Sequence, residues 1–272
     1  MSTAGPPEAA SEPREPIPAR SGLADTSAAV AALPTAPPPP VPRHRWGFGA
    51  YLLVEAVFLG SSLLLILPYL GRGHSTPPPW MLLVSLAVPT ILAATVALLA
   101  TRLRGNGPRL DLGLSFSVAD LRIGVLFGCA GLVLTLPAAA IWSKLVGPTN
   151  ASSAVAELFA KQHFTVPMAV AVFLVVALVA PICEEIVYRG LLWGAVRRHA
   201  ANRWWAFGLT TLCFALAHFE FSRTPLLFVI AVPIGLARFY TDRLGASIIA
   251  HQLNNLLPAV SLLLVLLGVI KQ

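Results

Sequence analysis

The chain has 272 residues, of which 56% are hydrophobic and 11% charged, and its mean hydropathy is +0.75; a soluble domain averages about 45–50% apolar residues, so a soluble globular protein is excluded. The net charge of +7 comes mostly from arginines beside apolar runs, where they anchor and orient helices. No basic run with interleaved aromatics is present, which argues against nucleic acid as a partner.

In chain order, residues 1–45 are rich in Pro, Ala and Ser, with Pro37 to Pro40 in a row. They show no hydrophobic periodicity and read as a disordered, partly polyproline tail on the cytoplasmic side. There is no early apolar run of the signal-peptide kind. Residues 46–164 then read as N-terminal transmembrane helices and a polar connection, and 165–270 as the membrane core that carries the chemistry. The fold class expected is all-α, a polytopic bundle of about seven spans. Their approximate limits are 49–70, 80–100, 123–146, 166–192 with a helical extension to 198, 204–219, 225–240 and 246–270. Most reach the roughly 20 residues that cross a hydrocarbon core; the fifth and sixth are short. A polar stretch, 147–164, has the composition of a short interfacial helix. Pro233 and Pro258 fall inside the last two spans, as membrane helices tolerate when neighbours re-satisfy the freed carbonyls.

Arginine and lysine in the connections alternate. Arg43, Arg45, Arg102, Arg104, Arg109, Arg122, Arg197, Arg198, Arg203, Arg238 and Arg243 collect on one side, and Arg72, Lys144, Lys161, Arg223 and Lys271 on the other. The bias holds across seven spans and predicts a multi-pass cell-membrane protein with a cytoplasmic N-terminus and an external C-terminus.

The fourth span is uncharged from Val166 to Ile182 and then meets Glu184-Glu185-Ile186-Val187-Tyr188-Arg189. Two adjacent carboxylates at membrane depth are costly, and an intramembrane ionisable residue is a functional hypothesis by default. The fifth span ends on Phe214-Ala215-Leu216-Ala217-His218, and the seventh carries His251-Gln252-Leu253-Asn254-Asn255. At about 1.5 Å per residue, Glu184 lies roughly 21 Å from Arg198, His218 roughly 21 Å from the start of its span and His251 roughly 12 Å from Arg243. One layer of a bundle can therefore hold all three.

Glu185 and Arg189, four apart, can pair on one helical face. That leaves Glu184, about 100° round the helix, free to face a cavity. A carboxylate and a histidine can hold a water and take its proton, directly or through a metal such as zinc. His251 and Asn255, also four apart, can both donate to an oxyanion. Asn254 and Asn255 alone would read as interhelical glue, and His218 or His251 alone as packing histidines. Glu55 in the first span has no partner in the spacing. Cys129, Cys183 and Cys213 lack C-x-x-C or disulfide spacing and read as small core hydrophobes.

Glu-Glu-x-x-x-Arg, Phe-x-x-x-His and His-x-x-x-Asn in this order resemble the pattern of the CAAX protease and bacteriocin-processing family of intramembrane proteases, also called the ABI or type II CAAX prenyl endopeptidase family. Glu184, Glu185, Arg189, Phe214, His218, His251 and Asn255 match every position, within about 165–262. The resemblance implies peptide-bond hydrolysis in or near the membrane on a peptide or lipidated-protein substrate. It assigns water activation to Glu184 and His218 and the oxyanion hole to His251 and Asn255, with Glu185, Arg189 and Phe214 in support.

Glu184, His218 and His251 also make a three-ligand set for zinc, although the His-Glu-x-x-His signature is absent. A metal-independent mechanism is the alternative, and the spacing of His251 and Asn255 favours it, since a ligating imidazole nitrogen cannot also donate. Two other functions compete: a non-catalytic scaffold or immunity-type protein of the same fold, and a proton-coupled transporter. The first has no need to bury four costly groups. The second lacks the matched, broken half-helices of that class.

Overall fold

In the computed structural model of the protein, residues 1, 44–70, 77–153, 157–159, 162–200 and 202–270 are described. The Pro/Ala-rich tail expected over 1–45 lies almost wholly outside them, as do Arg43, Arg72, Lys161 and Lys271 of the charge pattern.

Seven principal helices follow one another: α1, Phe48–Ile66; α2, Pro79–Arg104; α3, Val118–Val146; α4, Val166–His199; α5, Arg203–Leu216; α6, Thr224–Thr241; and α7, Leu244–Leu266. No strand occurs among the described residues. Six of the seven are long and apolar enough to cross a membrane. The exception, α5, has 14 residues, about 21 Å of helix against a core of about 30 Å. A four-residue helical turn, Pro148–Ala151, opens the polar connection between α3 and α4.

Local chemistry sets the ends. Pro79 starts α2, where a missing N–H costs nothing. Ser117 caps α3 by accepting from the Asp120 amide at 3.2 Å, while its hydroxyl donates to the Asp120 carboxylate at 2.7 Å. Asn202 caps α5 through the Trp204 amide.

The long helix α4 is continuous but not uniform. Two stretches, Val175–Val179 and Ile186–Leu192, are wound as π-helix. Pro181 accounts for the first. Its ring crowds the carbonyl one turn back and it brings no N–H, so the helix widens ahead of it and the Ala180 amide reaches back to Val175 rather than Val176. The Val176 carbonyl is thereby left without a helical partner.

The helix α4 sits centrally, against α1, α2, α5 and α7. On the far side α3 lies along α6 and α7. Its contact with α7 is close because the facing positions are glycines: a Cβ on Gly124 would stand 2.7 Å from Ile249, and one on Gly131 would overlap the Asn254 amide. Asn254 is the interhelical tie here, donating to the Gly128 carbonyl at 3.3 Å across the interface.

The arginine-bearing helix ends meet. Arg198 at the end of α4 donates to the Trp46 carbonyl just before α1 at 2.8 Å. The Arg45 amide bonds the last carbonyl of α2 at 2.7 Å. Buried Asp120 at the start of α3 pairs with Arg243 at the start of α7 at 2.9 Å. Successive helices therefore run in alternating directions.

Candidate active site

Two side chains predicted to activate water share one cavity. Glu184 and His218 line a space of about 380 Å³ bounded by α1, α2, α4 and the loop after α5. The Glu184 side chain is 26% exposed. His218 is exposed, one residue beyond the C-cap of α5. The shortness of α5 matters here: a helix that crossed the full core would carry residue 218 inside a regular turn. Instead the chain breaks after Ala217, and Phe219 adopts a left-handed backbone, φ 53°, unusual for a bulky residue.

The Phe-x-x-x-His spacing now has a physical meaning. The His218 Nδ1–H donates to the carbonyl of Phe214, 2.8 Å away and one turn earlier. A carbonyl only accepts, so the bond fixes the tautomer and leaves Nε2 as the free nitrogen. The Phe214 ring is the hub of the site. It packs edge-on to His218, His251 and Tyr188, with centroid separations of 4.8, 5.4 and 5.6 Å, and carries the Arg189 guanidinium 4.4 Å from its centroid.

Glu185 points away from the cavity. It is fully buried and pairs with fully buried Arg189 at 3.0 Å, four residues on. The same oxygen, Oε1, accepts from His251 Nδ1 at 2.9 Å. Arg189 is further tied to the Ala231 carbonyl of α6 at 3.4 Å, and its own carbonyl accepts from Arg238 Nε at 2.9 Å. The Glu-Glu-x-x-x-Arg motif thus divides its labour: one carboxylate is neutralised and locked between helices, and its neighbour is left to the cavity.

His251 is buried, and its Nε2 lies 3.6 Å from Glu184 Oε2. It stands between the two carboxylates, behind Glu184, and does not line the cavity. Asn255, one turn along α7, donates through Nδ2 to the Val176 carbonyl at 3.2 Å, the carbonyl that Pro181 leaves without a helical partner. The structure therefore gathers Glu184, Glu185, Arg189, Phe214, His218 and His251 into one connected cluster, with Asn255 at its edge on α7.

Among the described residues no three His, Cys, Asp or Glu side chains are grouped to hold a metal ion. Glu184, His218 and His251 are therefore not grouped as a ligand set, although both histidines bond through Nδ1, to Glu185 and to a backbone carbonyl, and so keep Nε2 as the nitrogen turned elsewhere.

One lining residue had no signal in the motifs. Glu55 of α1 opens onto the same cavity, with the Tyr51 and Tyr188 hydroxyls beside its carboxyl group. Tyr51 lies one helical turn before Glu55, which sequence alone could show; Tyr188 comes from α4, which it could not.

The chain is thus an all-helical membrane bundle with a carboxylate and a histidine on one cavity. The model of the family described as type II CAAX prenyl endopeptidase Rce1-like matches residues 166–257. The chain is also similar to the membrane-embedded CAAX protease MroQ of Staphylococcus aureus (strain USA300), with 38% identity over 85 residues, 29% of this chain and 34% of that relative. The match thus spans about a third of the relative's length. No solved structure matches. Residues 166–257 of this integral, multi-pass membrane protein thus match the type II CAAX prenyl endopeptidase family model.

Proposed function

We propose that this protein is an intramembrane endopeptidase that hydrolyses membrane-associated peptides, including lipidated C-terminal segments, with a water activated by Glu184 and His218. The observation that carries this reading is the shared cavity: the one partly exposed carboxylate of the motif and the free Nε2 of His218 border the same space.

In this mechanism Glu184 takes a proton from water as the oxygen attacks the scissile carbonyl carbon. The tetrahedral oxyanion is met on the α7 side by Asn255, which keeps one amide N–H beyond its bond to Val176; His251, whose Nδ1–H is given to Glu185, stands with Nε2 beside Glu184. The intermediate collapses with cleavage of the C–N bond, and the proton on Glu184 passes to the leaving amine. Glu185 and Arg189 touch no reacting atom. They position His251, which in turn sets the second face of Glu184. Glu184 and His218 hold the water themselves in this reading, without a metal.

Membrane proteomics of cells carrying wild-type protein or Glu184→Ala tests the function. The reading predicts peptide termini that appear only with the wild type. Identical terminal profiles in the two strains would remove it.

A further inference from the structure

The cavity has a second carboxyl group that lies outside the family-matched segment. Glu55, in the middle of α1, lines it together with Glu184 and His218. The Tyr51 hydroxyl from the preceding turn and the Tyr188 hydroxyl from α4 lie beside it. Tyr188 in turn packs on the Phe214 hub, so Glu55 is held by the same cluster that sets the catalytic pair. One of its oxygens, Oε1, is buried with no hydrogen-bond partner among the described residues.

The rest of the wall is apolar or neutral: Phe58, Leu59, Leu86 and Val187 are among its apolar residues, with Ser62, Ser85 and Thr90 as the small polar groups. No lysine or arginine is among the described lining residues. Arg189, the nearby cation, is committed to Glu185. A carboxyl group at membrane depth in such a wall is costly unless a ligand repays it. The chemistry that does so is a cationic head on an apolar stem, which satisfies the wall and the carboxylate together.

We infer that Glu55 is a specificity residue that seats a lysine or arginine side chain of the substrate close to the scissile bond, so that the preferred substrates are apolar peptides bearing one basic residue there. This rests on the hydrolytic reading of the cavity. Glu55 does not take part in water activation; its effect falls on substrate binding.

The test uses two matched pools of apolar, detergent-soluble peptides, identical except that one fixed position holds Lys in the first and norleucine in the second. Full-length protein in proteoliposomes is given both pools, and cleavage rates are read by mass spectrometry. In parallel, binding of both pools is measured to Glu184→Gln protein and to the Glu55→Gln/Glu184→Gln double variant.

The wild type is expected to favour the Lys pool at least about 10-fold in kcat/KM, the size of one charge-assisted hydrogen bond, through a lower KM. Glu55→Gln should bring that ratio to near one. In the binding arm, tighter binding of the Lys pool should require Glu55. Equal cleavage and equal binding of the two pools by protein containing Glu55 would overturn the inference while leaving hydrolysis intact. So would a ratio that survives Glu55→Gln. Glu55-dependent binding of the Lys pool without cleavage of either pool would support the inference and count instead against hydrolysis.

Discussion

At the level of single residues, the site is a division of roles between two adjacent glutamates. Glu184 keeps partial exposure and a cavity, while Glu185 is consumed by Arg189 and His251. Glu184→Gln keeps the shape but removes the proposed base, and His218→Ala removes the proposed second group on the water. Each should lower kcat about 10²–10⁴-fold with an unchanged melting temperature in detergent; near-wild-type turnover in either purified variant would take that residue out of the mechanism. Arg189 behaves differently. Breaking a buried ion pair from one side costs about 3–5 kcal/mol, because the partner is left buried and uncompensated. Arg189→Ala should therefore lower stability sharply, and adding Glu185→Gln should recover part of the loss. The measurement is a double-mutant cycle on detergent melting, and the absence of coupling would refute the pairing energetics.

At the level of elements, sequence periodicity and spacing located all seven helices, most ends to within a few residues, because apolar length and arginine-flanked boundaries are local properties. The i,i+4 pairing of Glu185 with Arg189 was readable for the same reason. What spacing could not show is what crosses between helices. The ring of Phe214 as hub, His251 as a bridge between two carboxylates, and Glu55 on the shared cavity all depend on how α1, α4, α5 and α7 converge. The π-wound stretches of α4 also escaped. Pro181 was the available signal, since it must orphan a carbonyl one turn back. Asn255 answers that vacancy at Val176, which gives it a structural duty beside the proposed donation to the oxyanion. The two duties separate experimentally. Pro181→Ala restores an N–H to α4, so Asn255→Ala should cost about 1–3 kcal/mol in the wild-type background and less in Pro181→Ala. A donor role would lower kcat in both backgrounds; unchanged kcat in both would leave Asn255 with packing alone.

At the level of the whole molecule, the arginine-bearing helix ends converge on one end of the bundle, joined by Arg198 to Trp46 and Arg243 to Asp120. With the positive-inside bias, that end is predicted to be cytoplasmic. Reporter fusions should glow after Arg104 or Arg198 when the reporter folds only in the cytoplasm, and stay dark after Gly147; the opposite pattern would invert the topology. Metal content offers a further check at this scale. Elemental analysis of active, purified protein should find well under one zinc per chain, and one tightly held zinc lost on His251→Ala would replace the proposed chemistry with a metal-bound water. The central claim, that Glu184 activates a water to cut a peptide bond, is met most directly in proteoliposomes supplied with an apolar peptide pool in oxygen-18-labelled water. Wild-type protein should generate new carboxyl termini carrying one labelled oxygen, and Glu184→Gln protein in the same vesicles should generate none. Labelled termini appearing equally with both proteins, or with neither, would contradict it.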